Sequence, residues 1–240
     1  MKKLLISLTI LAVAATAALV AIADDAVYSV NTVSVIKYTI PANGELTCVS
    51  LPLNPLDTSD DQGRWIFGDT AFCDQLAVGS SVYFWTGTAW SKAQKRDVAG
   101  EILWTGGVTN RVIKTGEALF VKGPADGAAQ VISMVGELPT DDSLSYTLTG
   151  SGNLDTRAVS LYPVEVTFGD TELAESLDVS SSVYFWTGTA WSKAQKRDVA
   201  GDILWTGGVT NRTVGIGEGV FVKSSGAAST ITQERPFEWE

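Results

Sequence analysis

Short segments rich in hydrophobic residues recur along most of the chain, with turn residues between them. In Tyr28–Ile40 hydrophobic and polar residues alternate, and five of its apolar residues share one parity. Glu45–Leu53 is predicted to be a second strand that is stopped by Pro52 and Pro55, and Ile102–Trp104 and Ala118–Lys122 are short apolar runs that predict further strands. A period of two is typical of strands that bury one face. The pattern therefore predicts a mainly β fold.

Two further segments predict a hairpin and a short helix. Val82–Ser91 carries apolar residues on both sides of Gly87, which is free to adopt the positive φ of a tight turn. In Asp170–Leu177, two leucines four residues apart would lie on one helical face. Asp170 is the expected N-cap of this helix. Asp69–Leu76 is expected to be its counterpart earlier in the chain.

The chain contains an internal repeat. Residues 80–111 and 181–212 differ at one position only, where Asp202 replaces Glu101, and they are offset by 101 residues. The similarity continues on both sides at lower identity. Upstream, Val49 aligns with Val159 at an offset of 110, so the first copy is expected to carry nine extra residues.

The repeat and the strand pattern together predict the architecture. Strands at a spacing of roughly ten residues, separated by turns, are typical of small sandwiches and barrels. We expect two tandem β-sandwich or barrel-like units of about 100 residues, each with one short helix. The first unit spans residues 24–140 and the second unit spans residues 141–240.

Three motifs give the chain a resemblance to known proteins. They are Ser50–Leu53 (SLPL), Val82–Trp90 (a VYxWxGxxW pattern) and Gly116–Lys122 (a GEAxFVK pattern). In these the chain resembles the β-rich tandem-repeat proteins that bacteria secrete or attach to their surfaces. The second copy departs from the pattern at Tyr162 and Pro163. The resemblance implies an extracytoplasmic module and carries no catalytic residue to this chain.

The first residues have the pattern of an export signal. Lys2 and Lys3 precede an uninterrupted run of apolar and small residues that ends at Ala21–Ala23, a motif that signal peptidases cleave. We therefore expect residues 1–23 to be a signal peptide. The mature chain is then periplasmic, attached to the cell surface or extracellular. No later segment is long and apolar enough to predict a membrane span.

Composition narrows the classes of function. Without the signal, the remaining 217 residues carry a net charge of −12, which argues against nucleic acid as a partner. The chain has no histidine, which removes Ser-His-Asp and Cys-His nucleophiles and most zinc sites. We expect no cofactor, no metal and no enzyme activity. Asp57, Asp60 and Asp61 are expected to form a solvated acidic loop, with calcium binding as the alternative.

Two cysteines, Cys48 and Cys73, occur in the first unit only. Their counterparts in the alignment are Ala158 and Ala174, so both cysteines are present in one copy and absent from the other. Joint presence in an exported protein is typical of a disulfide. Such a bond would stabilise the first unit by about 3 kcal/mol. The alternative is a pair of small, separately buried thiols.

Three tryptophans per unit suggest either core packing or a binding surface. Each tryptophan buries a large area when it lies in a core, whereas an exposed ring on a β-module can stack on sugar rings. The candidates for such a surface are Trp85, Trp90, Trp104, Trp186, Trp191 and Trp205.

Basic residues are concentrated in the duplicated blocks. The two blocks carry +4 together, whereas the rest of the mature chain carries −16. If these cations share one face, they could dock on the acidic part of a second molecule, head to tail. The candidates for self-association are Lys92, Lys95, Arg96, Lys193, Lys196 and Arg197.

These observations predict a non-enzymatic, exported structural protein of the cell surface or extracellular matrix, with self-association as a further expectation. The alternative is a carbohydrate-binding module that has one aromatic site per repeat and extracellular polysaccharide as its partner.

Overall fold

The computed structural model describes residues 32–56 and 64–238. The predicted signal peptide lies outside the described residues, and so do Asp57, Asp60 and Asp61 of the acidic loop. From Val33 onward the described residues form one compact body, which contains both repeat units.

Nine strands and one helix are described in each repeat. In the first unit they are β1 (Val33–Ile40), β2 (Leu46–Ser50), β3 (Trp65–Ile66), α1 (Ala71–Gln75), β4 (Ser81–Trp85), β5 (Trp90–Val98), β6 (Glu101–Trp104), β7 (Val112–Ile113), β8 (Ala118–Lys122) and β9 (Gln130–Glu137). In the second unit they are β10 (Ser143–Leu148), β11 (Leu154–Ala158), β12 (Val166–Thr167), α2 (Glu172–Ser176), β13 (Ser182–Trp186), β14 (Trp191–Val199), β15 (Asp202–Trp205), β16 (Thr213–Val214), β17 (Gly219–Lys223) and β18 (Ser229–Glu234).

Each unit contains one five-stranded sheet and a separate long strand pair. The sheets have the orders β2-β8-β4-β5-β6 and β11-β17-β13-β14-β15, and the long pairs are β1-β9 and β10-β18. All described pairings are antiparallel, which confirms the mainly β fold with two units. The predicted hairpin is β4 and β5, joined through a turn in which Gly87 has φ 98°.

The core of each unit lies between its five-stranded sheet, its long strand pair and its helix. In the first unit Val82 and Phe84 of β4 pack with Ile36 of β1, Phe72 of α1 and Ile132 of β9. An equivalent core fills the second unit. Burying a side chain such as Phe84 stabilises the fold by about 1.5–3 kcal/mol, so these cores hold each sheet in a fixed position.

The short helices are where the sequence predicts them, but their N-caps differ. Thr171, rather than Asp170, caps α2, and its hydroxyl accepts a hydrogen bond of 3.2 Å from the amide of Ala174. Asp170 belongs to the preceding turn of 3-10 helix, Phe168–Asp170. Thr70 has the same role in the first unit. Aspartate and threonine are both good caps, so residue type alone does not fix the register.

The strand register also corrects the alignment of the two units. Leu46 pairs with Lys122 in the first unit, and Leu154 pairs with Lys223 in the second. Leu46 and Leu154 are therefore equivalent, at an offset of 108 rather than 110. The first unit carries seven extra residues, not nine. The structural counterpart of Cys48 is Thr156, not Ala158.

Within the described residues, none of the helices has the length and apolar character needed to cross a lipid bilayer.

Candidate binding surface

Both faces of β4 carry bulky apolar residues. Because strand side chains alternate between faces, Val82 and Phe84 point into the core and are fully buried, whereas Tyr83 and Trp85 point away from it. The cross-strand neighbour of Trp85 is Trp90 on β5, and the centroids of the two rings are 5.1 Å apart. β13 and β14 repeat this arrangement in the second unit.

The two outer faces meet and form what we call the aromatic seam. Phe120 of β8 and Phe221 of β17 lie at its centre, with ring centroids 5.9 Å apart. Each of these two rings contacts tryptophans of both units: Phe120 contacts Trp90, Trp186 and Trp191, and Phe221 contacts Trp85, Trp90 and Trp191. Most of these ring pairs are edge-to-face or steeply tilted, an arrangement that the charge distribution of aromatic rings favours. The residues of the seam are Tyr83, Trp85, Trp90, Phe120, Tyr184, Trp186, Trp191 and Phe221.

Hydrogen bonds join the units in pairs around the seam. The indole N–H of Trp85 donates to the carbonyl of Leu154, and that of Trp186 donates to the carbonyl of Leu46, both at 2.7 Å. The backbone N–H of Ser50 also donates a hydrogen bond to the carbonyl of Gly217, at 2.8 Å. The equivalent bond in the opposite direction, from the N–H of Ala158 to the carbonyl of Gly116, is 2.8 Å long as well. Each contact has a counterpart in the other unit, so the repeats pack with approximate two-fold symmetry.

Trp90 and Trp191 are the exposed members of the seam. They are 41% and 39% exposed, although each contacts several other rings. Both line one surface pocket of about 290 Å³, close to the lower size limit of small-ligand pockets. Its other walls are Leu46, Tyr83, Phe120, Lys122, Trp186 and Phe221. Among the described residues, Lys122 is the single charged one in this wall.

Trp104 and Trp205 are not part of this surface. Each ring packs inward against the core of its own unit, at 5.1 Å from Phe67 and Phe168 respectively. The indole N–H of Trp104 donates to the carbonyl of Cys73. Trp85 and Trp186 are half-buried between the units. Of the six predicted tryptophans, Trp90 and Trp191 remain accessible to a ligand.

The predicted disulfide is wrong, because both cysteines are free. Cys48 points from β2 into the aromatic seam, whereas Cys73 on α1 packs against the core of the first unit. The two thiols therefore lie on opposite sides of the first sheet. Burial, and secondly the charge of Glu218, raises the pKa of the Cys48 thiol. Burial likewise raises the pKa of Cys73.

Lys95 and Lys196 do not contribute to an exposed basic face. Lys95 is 9% exposed, and its ammonium group donates to the carbonyls of Cys73 and Asp74 at the end of α1. Lys196 makes the equivalent bonds to Ala174 and Glu175 at the end of α2. Burial lowers the pKa of Lys196. A cation at these positions satisfies terminal helix carbonyls.

The other four predicted cations are exposed on the outer faces of the two sheets. Lys92 lies 5.6 Å from the centre of the Tyr83 ring, and Lys193 lies 5.9 Å from that of Tyr184. Arg96 and Arg197 donate hydrogen bonds to neighbouring glutamines on the same strands. The predicted set of six is thus divided between the inside and the outside of the sheets.

Each unit also exposes an apolar hairpin, which we call an arm. The first arm is formed by β5 and β6 and the second arm by β14 and β15. Six aliphatic residues on the arms are at least 41% exposed. They are Val98, Ile102, Leu103, Val199, Ile203 and Leu204. β6 and β15 are also the outer strands of their sheets, so each arm presents an edge with no partner strand among the described residues.

Comparison with known proteins gives no further assignment: no family model, no curated protein and no solved structure matches this chain. The resemblance to secreted β-repeat proteins therefore stays a prediction.

Sequence reasoning did not single out several residues of this surface. Phe120 lies in the predicted strand Ala118–Lys122, where its neighbour Leu119 gives an apolar side chain on the other face, and Val220 and Phe221 repeat this pattern in β17. Lys122 ends the same strand and reaches the pocket. Two-faced apolar strands are a sign of packing on both sides, and this signal was available in the sequence.

Proposed function

We propose that this protein is a non-enzymatic glycan-binding protein that acts outside the cytoplasm and binds sugar rings on Trp90 and Trp191. The observation that carries the proposal is the exposure of these two rings, 41% and 39%, at a single pocket walled by other aromatic residues. Large exposed aromatic surfaces on monomers are rare and usually mark a binding site.

The chemistry of the pocket suits a sugar. The C–H groups on one face of a pyranose ring are weakly positive, and they pack on the negative face of an indole ring. Neighbouring rings hold Trp90 and Trp191 through edge-to-face contacts at 5.4 Å from Phe120. A preorganised platform loses little conformational entropy on binding.

The proposal differs from the expected arrangement of one site per repeat. Trp90 and Trp191 come from different units but line the same pocket. The duplication would then generate one composite site, whose two halves are built by the same sequence. This gives a physical reason for keeping both duplicated blocks nearly identical, because both contribute to one wall.

The test is binding of a panel of polysaccharides to the mature protein, measured by affinity electrophoresis and calorimetry. Trp90→Ala and Trp191→Ala are each expected to weaken binding by about tenfold or more, equivalent to about 1.4 kcal/mol. Ile102→Ala is the matched control, since it removes an exposed apolar side chain from an arm, outside the pocket. Binding to none of the polysaccharides, or equal binding by all three variants, would refute the proposal.

Export is a separate part of the proposal and has its own test. Expression of the full chain in a bacterial host, followed by intact-mass analysis of the protein outside the inner membrane, should give a polypeptide that begins at Asp24. Recovery of the chain only in the cytoplasm, with residues 1–23 still attached, would contradict this part and leave the glycan site unaffected.

The arms favour a second candidate function, self-association into a surface layer or matrix. The edge strands β6 and β15 have only four residues each, but they are apolar and exposed, and an exposed strand edge can pair with another strand. A second molecule is the proposed partner, because each chain offers two nearly identical edges and can therefore continue an assembly. The segregation of charge between the basic blocks and the acidic remainder would assist the contact.

Light scattering of the mature protein across protein and salt concentrations tests this candidate. The double variant Ile102→Lys and Ile203→Lys is expected to be monomeric where the wild type assembles. The double variant Val78→Lys and Val179→Lys is the control, because it places the same charges at exposed valines away from the arms. A wild-type protein that stays monomeric at high concentration and low salt excludes the candidate.

A further inference from the structure

A second pocket, of about 340 Å³, lies on the outer face of the second unit beside the aromatic seam. Tyr184 belongs to both, since it is a residue of the seam and lines this pocket. Along β14 the outward-facing residues run from Trp191 through Lys193 to Gln195. Alternate residues of a strand are about 6.6 Å apart, so the pocket lies within about 13 Å of the Trp191 ring.

The wall of this pocket is polar and positively charged. Lys193 and Lys223 both line it, together with several serine residues, and no acidic residue lines it within the part of the chain that the structure describes. Neither lysine makes a salt bridge with a carboxylate that the structure describes. Asp178, two residues before Ser180 in the chain, is an acidic residue of the surrounding segments, and it lies against Gly226 and interacts with the Lys196 ammonium.

The serines distinguish this pocket from the corresponding place in the first unit. Ser180, Ser224 and Ser225 stand where the first unit has Gly79, Gly123 and Pro124. The second unit therefore has hydroxyl groups at three positions where the first unit has none. The Ser225 hydroxyl donates a hydrogen bond of 2.7 Å to the carbonyl of Val179, which leaves the hydroxyls of Ser180 and Ser224 as the candidate donors to an oxyanion.

Ser180 occupies a backbone conformation that disfavours serine. Its φ is 74°, and the equivalent Gly79 has φ 94°. A side chain with a Cβ is strained in this region, which glycine adopts freely. Residues held in such conformations are concentrated at functional sites. The serine therefore carries a conformational cost that its glycine counterpart avoids, and a role for its hydroxyl in the pocket would account for it.

We propose that this pocket binds an oxyanion, the carboxylate or sulfate group of an acidic polysaccharide whose sugar rings lie on Trp90 and Trp191. The proposal rests on the proposed glycan-binding function for the sugar part of the ligand, whereas the anion part rests on the pocket alone. Lys193 and Lys223 neutralise the charge, and the hydroxyls of Ser180 and Ser224 complete the hydrogen bonding. The protein would then select acidic over neutral polysaccharides, although its own net charge is negative.

Binding of polygalacturonate, dextran sulfate and unmodified dextran to the mature protein tests the selectivity. The acidic polymers are expected to bind at least tenfold more tightly than dextran at low salt, with the advantage falling as salt rises. The double variant Lys193→Gln and Lys223→Gln should lose this advantage. Lys92→Gln is the matched control, because Lys92 is the exposed counterpart of Lys193 in the first unit. The two acidic polymers separate carboxylate from sulfate as the preferred group.

A second measurement separates failure of the pocket from failure of the glycan platform. Titration of the protein with sodium sulfate should shift the amide resonances of Ser224 and Ser225 in the wild type, but not in the double lysine variant. Ser180→Gly should weaken this response several-fold. If sulfate shifts these amide resonances but no polysaccharide binds, the anion pocket is supported and the proposed glycan-binding function is refuted. If sulfate shifts neither amide, or shifts both equally in the variant, the anion pocket is refuted.

Discussion

The indole N–H of Trp186 donates a hydrogen bond of 2.7 Å to the backbone carbonyl of Leu46, which lies in the other repeat. Trp85 and Leu154 form the equivalent bond in the opposite direction. These tryptophans therefore act between the units, whereas their cross-strand neighbours Trp90 and Trp191 remain exposed. The hairpin tryptophans therefore have two roles: Trp85 and Trp186 join the two units, and Trp90 and Trp191 are accessible to a ligand.

Trp186→Phe tests the structural role of the seam. The substitution keeps an aromatic ring but leaves the Leu46 carbonyl without its indole donor, so the free energy of unfolding should fall by about 1–2 kcal/mol. Trp191→Phe is the control, because it makes the same change in a seam ring that is 39% exposed and whose indole N–H makes no hydrogen bond among the described residues, so it should lower stability by less than Trp186→Phe does. Urea unfolding measures both. Equal effects of the two substitutions would show that the hydrogen bond contributes little.

Gly217→Ala tests the close approach of the two units. Gly217 has φ 73°, and an added Cβ would lie 2.6 Å from a ring carbon of Tyr38. Backbone strain of about 1–2 kcal/mol and steric overlap of about 1–3 kcal/mol should both lower stability. Gly188→Ala has a similar backbone, φ 96°, with nothing within 4 Å, so it reports the strain alone. Thermal unfolding that shifts equally in the two variants would contradict this contact.

Stability should fall at alkaline pH because of Tyr38 and Tyr146. Burial raises the pKa of both phenols above their usual range, and both donate hydrogen bonds to backbone carbonyls. Folding favours the neutral form of each phenol. Its contribution to stability is therefore complete at pH values below about 10, the pKa of tyrosine in the unfolded chain, and is lost as the pH rises further.

The pH dependence of urea unfolding measures this loss. The double variant Tyr38→Phe and Tyr146→Phe should be less stable at neutral pH but should lose less stability between about pH 9 and 11. Phenolate absorbance should also show fewer titrating tyrosines in the native protein than in the unfolded chain. An identical slope in the wild type and the variant would contradict the assignment.

The two thiols should differ in reactivity. Cys48 is fully enclosed by the seam and Cys73 is half-buried, and burial raises the pKa of both, which lowers the thiolate fraction. Iodoacetamide at pH 8 should therefore label Cys73 slowly in the native protein and Cys48 only after unfolding. Peptide mapping locates the label. A purified protein without free thiols, restored by reductant, would instead support the bond that the sequence predicts.

Much of the local structure was predictable because it depends on short-range physics. The strand Ala118–Lys122 follows from a short apolar run that is entered through a turn residue, and the hairpin around Gly87 follows from the conformational freedom of glycine. The helices were placed correctly within a few residues. The same alternation also separates Lys95 from Lys92 and Arg96, since residues an odd number apart lie on opposite faces. That signal was present, but the basic residues were grouped by their charge instead.

The sequence by itself determined the two β-rich repeats, their turns and their short helices, because each depends on residues close together in the chain. Only the tertiary structure decided what covers the outer face of each sheet. An apolar side chain such as Phe120 requires burial but does not specify its partner, and here the partner is Phe221, about a hundred residues away. The separation of Cys48 from Cys73 and the exposure of Trp90 and Trp191 depend on that packing, since long-range contacts determine which surfaces water reaches.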